Sequence, residues 1–315
     1  MQQLTDMMTR LGASPWVAPL WIAVASCVVA VLAVVGFYFL LVLALPKMAA
    51  VARTTAKEAL VQPPFAILFG VGSFLLLASV FLPYRTFGED NKMFMINGID
   101  MIMILSVILA LWMASVSISE EIEGRTALTL LSKPISRRQF VIGKFLGIIA
   151  VVAALFIVLG FVYLCCTSFK VPYDARESSQ EIPSALASQQ AMVRVLPGLL
   201  LYFMQAALLT SISVAVSTRL PMLANLMICF SVYILGHLGP LLVQSSAGKN
   251  PIVRFVGTLG ATVLPVLDHF DVQAAISGGS DVPMMYVGWA FVYCAIYCTI
   301  ALLLALAMFE DRDLA

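Results

Sequence analysis

Charge is scarce in this sequence. Only 11% of its 315 residues are Asp, Glu, Lys or Arg, while 62% are hydrophobic. A soluble domain carries about a quarter charged residues, so this balance excludes an ordinary water-facing surface and indicates a membrane protein. The formal net charge of +1 says nothing about partners, and nucleic acid is not expected among them. Motor and hydrolase motifs are also lacking. Gly143-Lys144 is followed by Phe145 and Gly248-Lys249 by Asn250, so neither begins a phosphate loop. No His-Glu-x-x-His and no Gly-x-Ser-x-Gly occurs. The six cysteines (Cys27, Cys165, Cys166, Cys229, Cys294 and Cys298) show no zinc-type spacing and read as small buried hydrophobes. No metal or cofactor site is expected in the chain.

Long apolar runs dominate what is present. Crossing about 30 Å of hydrocarbon takes about 20 residues. Runs of that kind lie at 17–45, 63–84, 98–118, 139–166, 195–217, 222–244 and 284–309. They predict an all-α membrane protein, a polytopic helical bundle of about seven transmembrane helices. The first run lacks a basic flank and is too long for a signal peptide. The Lys and Arg bias places 46–62, 119–138, 218–221 and the C-terminus in the cytoplasm, and hence the N-terminus outside.

Between the first two runs, Lys47, Arg53 and Lys57 alternate with Met48, Val51, Leu60 and Val61. This pattern suits an interfacial helix or a plain linker helix with basic anchors. Residues 167–194 are polar and contain Pro172 and Pro183, which predicts an external loop with room for one short helix. Residues 245–283 hold a run, 252–266, broken by Gly257, Gly260 and Pro265. That run reads as re-entrant or interfacial, tolerated at membrane depth only if protein covers it.

The densest charge lies at 118–144, between two spans. Ser117 and Glu120 have capping-box spacing, and Glu121 pairs with Arg125 at i, i+4. Glu120, Glu123, Ala127 and Leu130 share a helical face, and Gly124 marks a bend. Leu128, Leu130 and Leu131 need cover from the membrane surface or a partner. Pro134 ends this helix. Ser136 and Gln139 then predict a capping box for the next one, with Ile135 and Phe140 as a hydrophobic staple. Arg137 and Arg138 fall on its first turn, where the helix dipole disfavours cations. Gly143 and Gly147 supply a small-xxx-small face for close helix packing.

The run Ser-Glu-Glu-Ile-Glu-Gly-Arg-Thr…Leu-Leu-Ser-Lys-Pro-Ile-Ser-Arg-Arg…Gly-Lys resembles the segment between the second and third core helices of ABC-2 type transporter permeases. The resemblance covers about residues 47–312. It implies an amphipathic elbow helix at 47–62, an ABC-2 transmembrane domain at 63–312, and a coupling helix at 119–134 that docks on a separate ABC ATPase. Residues 1–46 depart from the pattern as an extra N-terminal span. Carried over by position, Glu120, Glu121, Glu123, Gly124, Thr126, Leu130, Leu131 and Pro134 would form the docking element, flanked by Arg137 and Arg138. The partners implied are the ATPase, which would bind ATP and Mg, a second permease copy or homologue, and the lipid of a plasma (bacterial inner) membrane. The function implied is the non-catalytic permease subunit of an exporter. A membrane anchor that recruits a cytoplasmic partner without transport is the alternative.

A third reading is an intramembrane enzyme using Asp268, His269 and Asp271, against a plain hydrogen-bonded turn. His237 lies by a helix break in the sixth span, either lining a substrate path or capped at the span's outer end. Asp100 reads as interfacial. Phe74, Phe81, Trp112 and Tyr202 either line a path or face lipid.

Overall fold

The computed structural model describes residues 16–84, 89–120, 136–178, 183–244 and 264–310. These residues form α1 (Leu20–Ala44), α2 (Pro46–Val61), α3 (Pro63–Val80), α4 (Asp90–Ala114), α5 (Arg137–Glu177), α6 (Ala185–Ser217), α7 (Met222–Gln244), α8 (Gln273–Gly278) and α9 (Met284–Glu310). Among the described residues there is no strand. Six helices (α1, α3, α4, α5, α6 and α9) are long and apolar enough to cross a membrane, and α7 holds a further apolar stretch. The protein is an all-α polytopic membrane protein.

Helix boundaries follow local chemistry. Pro46 and Pro63-Pro64 occupy first-turn positions, where a missing N–H costs no intrahelical bond. They divide one long helical stretch into α1, α2 and α3. Ser136 caps α5: its hydroxyl accepts from the Gln139 N–H at 3.3 Å, and the Gln139 side chain accepts from the Ser136 N–H at 3.2 Å.

The core lies between α4, α5 and α6, each mostly buried along its apolar stretch, whereas α3 and α9 bury little of theirs. At the α4–α5 crossing, a Cβ on Gly98 would lie 2.5 Å from the Tyr163 ring. Only glycine admits that approach. The Tyr163 hydroxyl donates to the Met95 carbonyl at 2.7 Å, and its ring stacks on Phe94. α1 stands apart. Its Ile22 and Ala23 pack on Leu164 and Met192, while Val28, Leu32, Val35, Phe39 and Leu43 stay exposed.

The expected loop at 167–194 is corrected. α5 continues to Glu177 and α6 begins at Ala185, so most of this segment is helical. Pro172 sits inside α5. Lys170, within the expected loop, is buried there, 2.9 Å from Asp174 and donating to the Val80 carbonyl at 2.8 Å. The carbonyl it satisfies belongs to the last turn of α3, so the lysine serves as that helix's cap. Pro183 precedes the first turn of α6, where it breaks no helical bond. Residues 252–263 of the broken run lie outside the described residues. The part that follows forms a 3-10 turn, Leu267–Phe270, and α8.

Candidate functional site

Residues 121–135, outside the described residues, connect the end of α4 to the start of α5. α4 passes into a π-helical turn, Ser115–Glu120. Such a turn holds one more residue than an α-turn and often marks a functional position. Here it is pinned by polar groups. The Ser115 hydroxyl donates to the Leu111 carbonyl at 2.8 Å and accepts from Asn225 Nδ2 at 2.7 Å. The same nitrogen donates to the Ser213 hydroxyl at 2.7 Å, and Cys229 Sγ donates to Asn225 Oδ1 at 3.3 Å. Ser115, Ser213, Asn225 and Cys229 are all buried, so this node ties α4, α6 and α7 together. Two residues further along the turn, Ser117 accepts from Nζ of Lys144, a buried lysine of α5, at 3.0 Å. That ammonium also lies 5.7 Å from the centre of the Phe140 ring.

The start of α5 carries Arg137 in spite of the helix dipole, and the packing supplies the compensation. Arg137 Nη1 donates to the Phe309 carbonyl at 3.4 Å and its guanidinium lies over the Phe309 ring. Phe309 in turn stacks on Phe140. Arg219, in the connection between α6 and α7, donates from Nε to the Met308 carbonyl at 2.7 Å. Both arginines therefore meet the carbonyl end of α9, which bears the partial negative charge of that helix. Arg138 is exposed beside them.

The small-xxx-small face of α5 receives α2. A Cβ on Gly143 would lie 2.8 Å from Val51, and one on Gly147 would lie 2.6 Å from Thr55 and 2.8 Å from the Ala52 carbonyl. α2 is thereby docked against the first turns of α5.

Among the residues singled out from the sequence, Glu120 ends the π-turn, and Arg137 and Arg138 open α5. Glu121, Glu123, Gly124, Thr126, Leu130, Leu131 and Pro134 lie outside the described residues. Ser115, Ser213 and Asn225 were not singled out. Their only signal was polarity within apolar runs, which does not reveal that three such residues converge.

At the other end of the bundle, Asp268 and His269 lie in the 3-10 turn, and His269 rests edge-on against Tyr293. The Asp271 carboxylate accepts from the Gln273 N–H at 2.7 Å, closing a turn at the start of α8. Burial raises the Asp268 carboxyl above its usual range, with His237 opposing and Asp271 adding to the rise. Among the described residues no cluster of His, Cys, Asp or Glu could hold a metal ion. Within the turn the Asp271 N–H donates to the Asp268 carbonyl at 3.1 Å.

Asp100, read from the sequence as interfacial, is half-buried. It accepts from the Tyr202 hydroxyl at 2.8 Å and from the Gln273 side chain at 2.9 Å. Tyr202 thus points into the protein, while Phe74 and Phe81 point out of it. His237 meets the Gln205 amide at 3.3 Å and the Tyr233 ring.

The family model described as ABC-2 family transporter protein matches residues 85–314. That stretch includes the π-turn, the Asn225 node, both arginines and α9. Among the curated proteins, none matches the chain.

Proposed function

The chain belongs to the ABC-2 transporter family, and we propose that it is the permease subunit of an ATP-driven exporter, coupled to a separate ABC ATPase through residues 119–134. In this reading that segment faces the cytoplasm, α2 is the elbow helix, and α1 is an added span with the N-terminus outside. Two permease copies enclose the path, and ATP and Mg are held by the ATPase.

One observation carries the proposal. The helix ends on either side of residues 121–135 are both anchored at a single end of the bundle. The π-turn is held by Ser115 and Asn225, and the start of α5 is held against the end of α9 by Arg137. A load applied to the segment between them would reach α4, α5, α6, α7 and α9 through directional bonds as well as apolar contact. Acids and leucines on that segment suit a partner groove with a basic rim and an apolar floor.

The test is charge reversal, Glu121→Lys with Glu123→Lys, in a permease co-expressed with a candidate partner ABC ATPase. Expected are loss of co-purification and a permease that still folds in the membrane. A complex that survives with unchanged ATP turnover refutes the coupling segment. Binding with no dependence of ATP turnover on the permease favours a non-transporting anchor instead.

A further inference from the structure

We propose that Asn225 is the positioning residue that makes α6 and α7 follow the π-turn when residues 119–134 are displaced. The proposal rests on the coupling role given to that segment and adds the route by which its movement enters the bundle.

Apolar helix faces pack well but resist sliding weakly, because dispersion contacts have no direction. An amide with every bond made behaves differently. Each Asn225 polar atom is engaged: Nδ2 to Ser115 and Ser213, and Oδ1 to the Cys229 thiol. None of these groups has access to water that could replace a lost bond. Shearing α4 past α6 or α7 would strand a buried donor or acceptor, and that is costly in a low-dielectric interior. Moving the helices together strands nothing.

Position adds to the case. Ser115 is the first residue of the π-turn, which runs to Glu120. Its hydroxyl already bonds back to Leu111, so the Asn225 bond locks the point where α4 changes helical type. Asn225 itself lies in the first turn of α7, its N–H bonded to the Pro221 carbonyl. The α6–α7 connection is short and internally tied by the Thr218 hydroxyl to the Ala215 carbonyl. One amide thus joins the end of one helix to both arms of the next hairpin. A polar side chain buried in a membrane bundle is costly to retain, and such residues are commonly functional.

The Lys144–Ser117 bond holds the same turn to α5 by a separate contact. Removing Asn225 alone is therefore expected to release α6 and α7 while leaving the turn attached to α5. That separates this role from general loosening of the site.

The experiment has two arms. In the first, the isolated permease in lipid nanodiscs is followed by backbone hydrogen exchange. Asn225→Ala and Ser115→Ala should each speed exchange at 115–120 about tenfold, the factor expected for one lost buried hydrogen bond. Exchange at 150–160 of α5 should not change. In the second arm, the permease–ATPase complex is assayed for assembly, and for kcat and KM of ATP hydrolysis. Asn225→Ala should assemble normally, keep KM, and let kcat drift to that of the ATPase alone. The swap Ser115→Asn with Asn225→Ser should restore permease-dependent kcat, because it rebuilds the bond from the other side.

Unchanged exchange at 115–120 overturns the node. Faster exchange with wild-type kcat also overturns the proposal, leaving Asn225 a purely structural contact. Loss of assembly in Glu121→Lys with Glu123→Lys but not in Asn225→Ala upholds the docking reading independently. Should Asn225→Ala fail to fold, Ser115→Ala removes the same bond with a smaller change of volume and carries both arms.

Discussion

The close approach of α2 to α5 yields the sharpest quantitative test. In Gly147→Ala the new methyl would meet Thr55 Cβ at 2.6 Å, the Ala52 carbonyl oxygen at 2.8 Å and Thr55 Cγ2 at 2.9 Å. Comfortable contact begins near 3.5 Å, so α2 must withdraw by roughly 0.7–0.9 Å. No rotamer relieves this, because one obstacle is main chain. Overpacking of this kind costs about 1–3 kcal/mol. Alanine also gains up to about 1 kcal/mol of helix propensity over glycine, so the effect must be read against a control. Gly36 and Gly70 provide it, since a Cβ there meets nothing within 4 Å. The assay is equilibrium unfolding of the permease in mixed micelles titrated with a denaturing detergent. Gly147→Ala should lie about 1–3 kcal/mol below Gly36→Ala and Gly70→Ala. Gly143→Ala, facing Val51 at 2.8 Å, should fall on the same side. Equal midpoints for Gly147→Ala and Gly36→Ala would refute the packing of α2 on α5.

Two further outcomes are expected. Lys170→Met should destabilise the protein by about 3–5 kcal/mol, because it strands the part-buried Asp174 carboxylate and the Val80 carbonyl. Pairing it with Asp174→Asn should recover much of the loss in the same unfolding assay. Asp268 bears on pH dependence. Burial raises its carboxyl in the folded state, so the folded protein binds that proton more tightly than the unfolded chain. Its contribution is therefore fully present in acid and is lost as pH rises through the folded-state value. Thermal unfolding at a series of pH values should show Asp268→Asn with a weaker decline between acid and neutral pH than the parent, and an identical decline would show that the residue is not linked to folding.

Much of the architecture was legible because each signal was local. Ser136 and Gln139 lie three residues apart, so their capping box needs nothing beyond the chain's own geometry. The prolines at 46 and 63 act on the backbone at their own positions. The loop expected at 167–194 failed for the opposite reason. Polarity there reflects partners distant in sequence: Lys170 reaches Val80, and Ser168 donates to the Trp16 carbonyl at 2.7 Å. With those groups satisfied by distant parts of the chain, α5 can extend past Pro172.

The candidate site divides in the same way. That Arg137 needed compensation followed from the helix dipole alone, but its source, the carbonyl end of α9, is 172 residues away in sequence. Gly143 and Gly147 announced a close neighbour without naming it, and packing identified α2. By itself the sequence determined a helical membrane protein and the positions of its helix starts, because hydropathy, proline and caps act within a few residues. Tertiary structure alone decided that Ser115, Ser213 and Asn225 meet. Hydrogen bonds between residues 12 and 110 positions apart depend on how three helices cross, and no local pattern in the chain encodes that crossing.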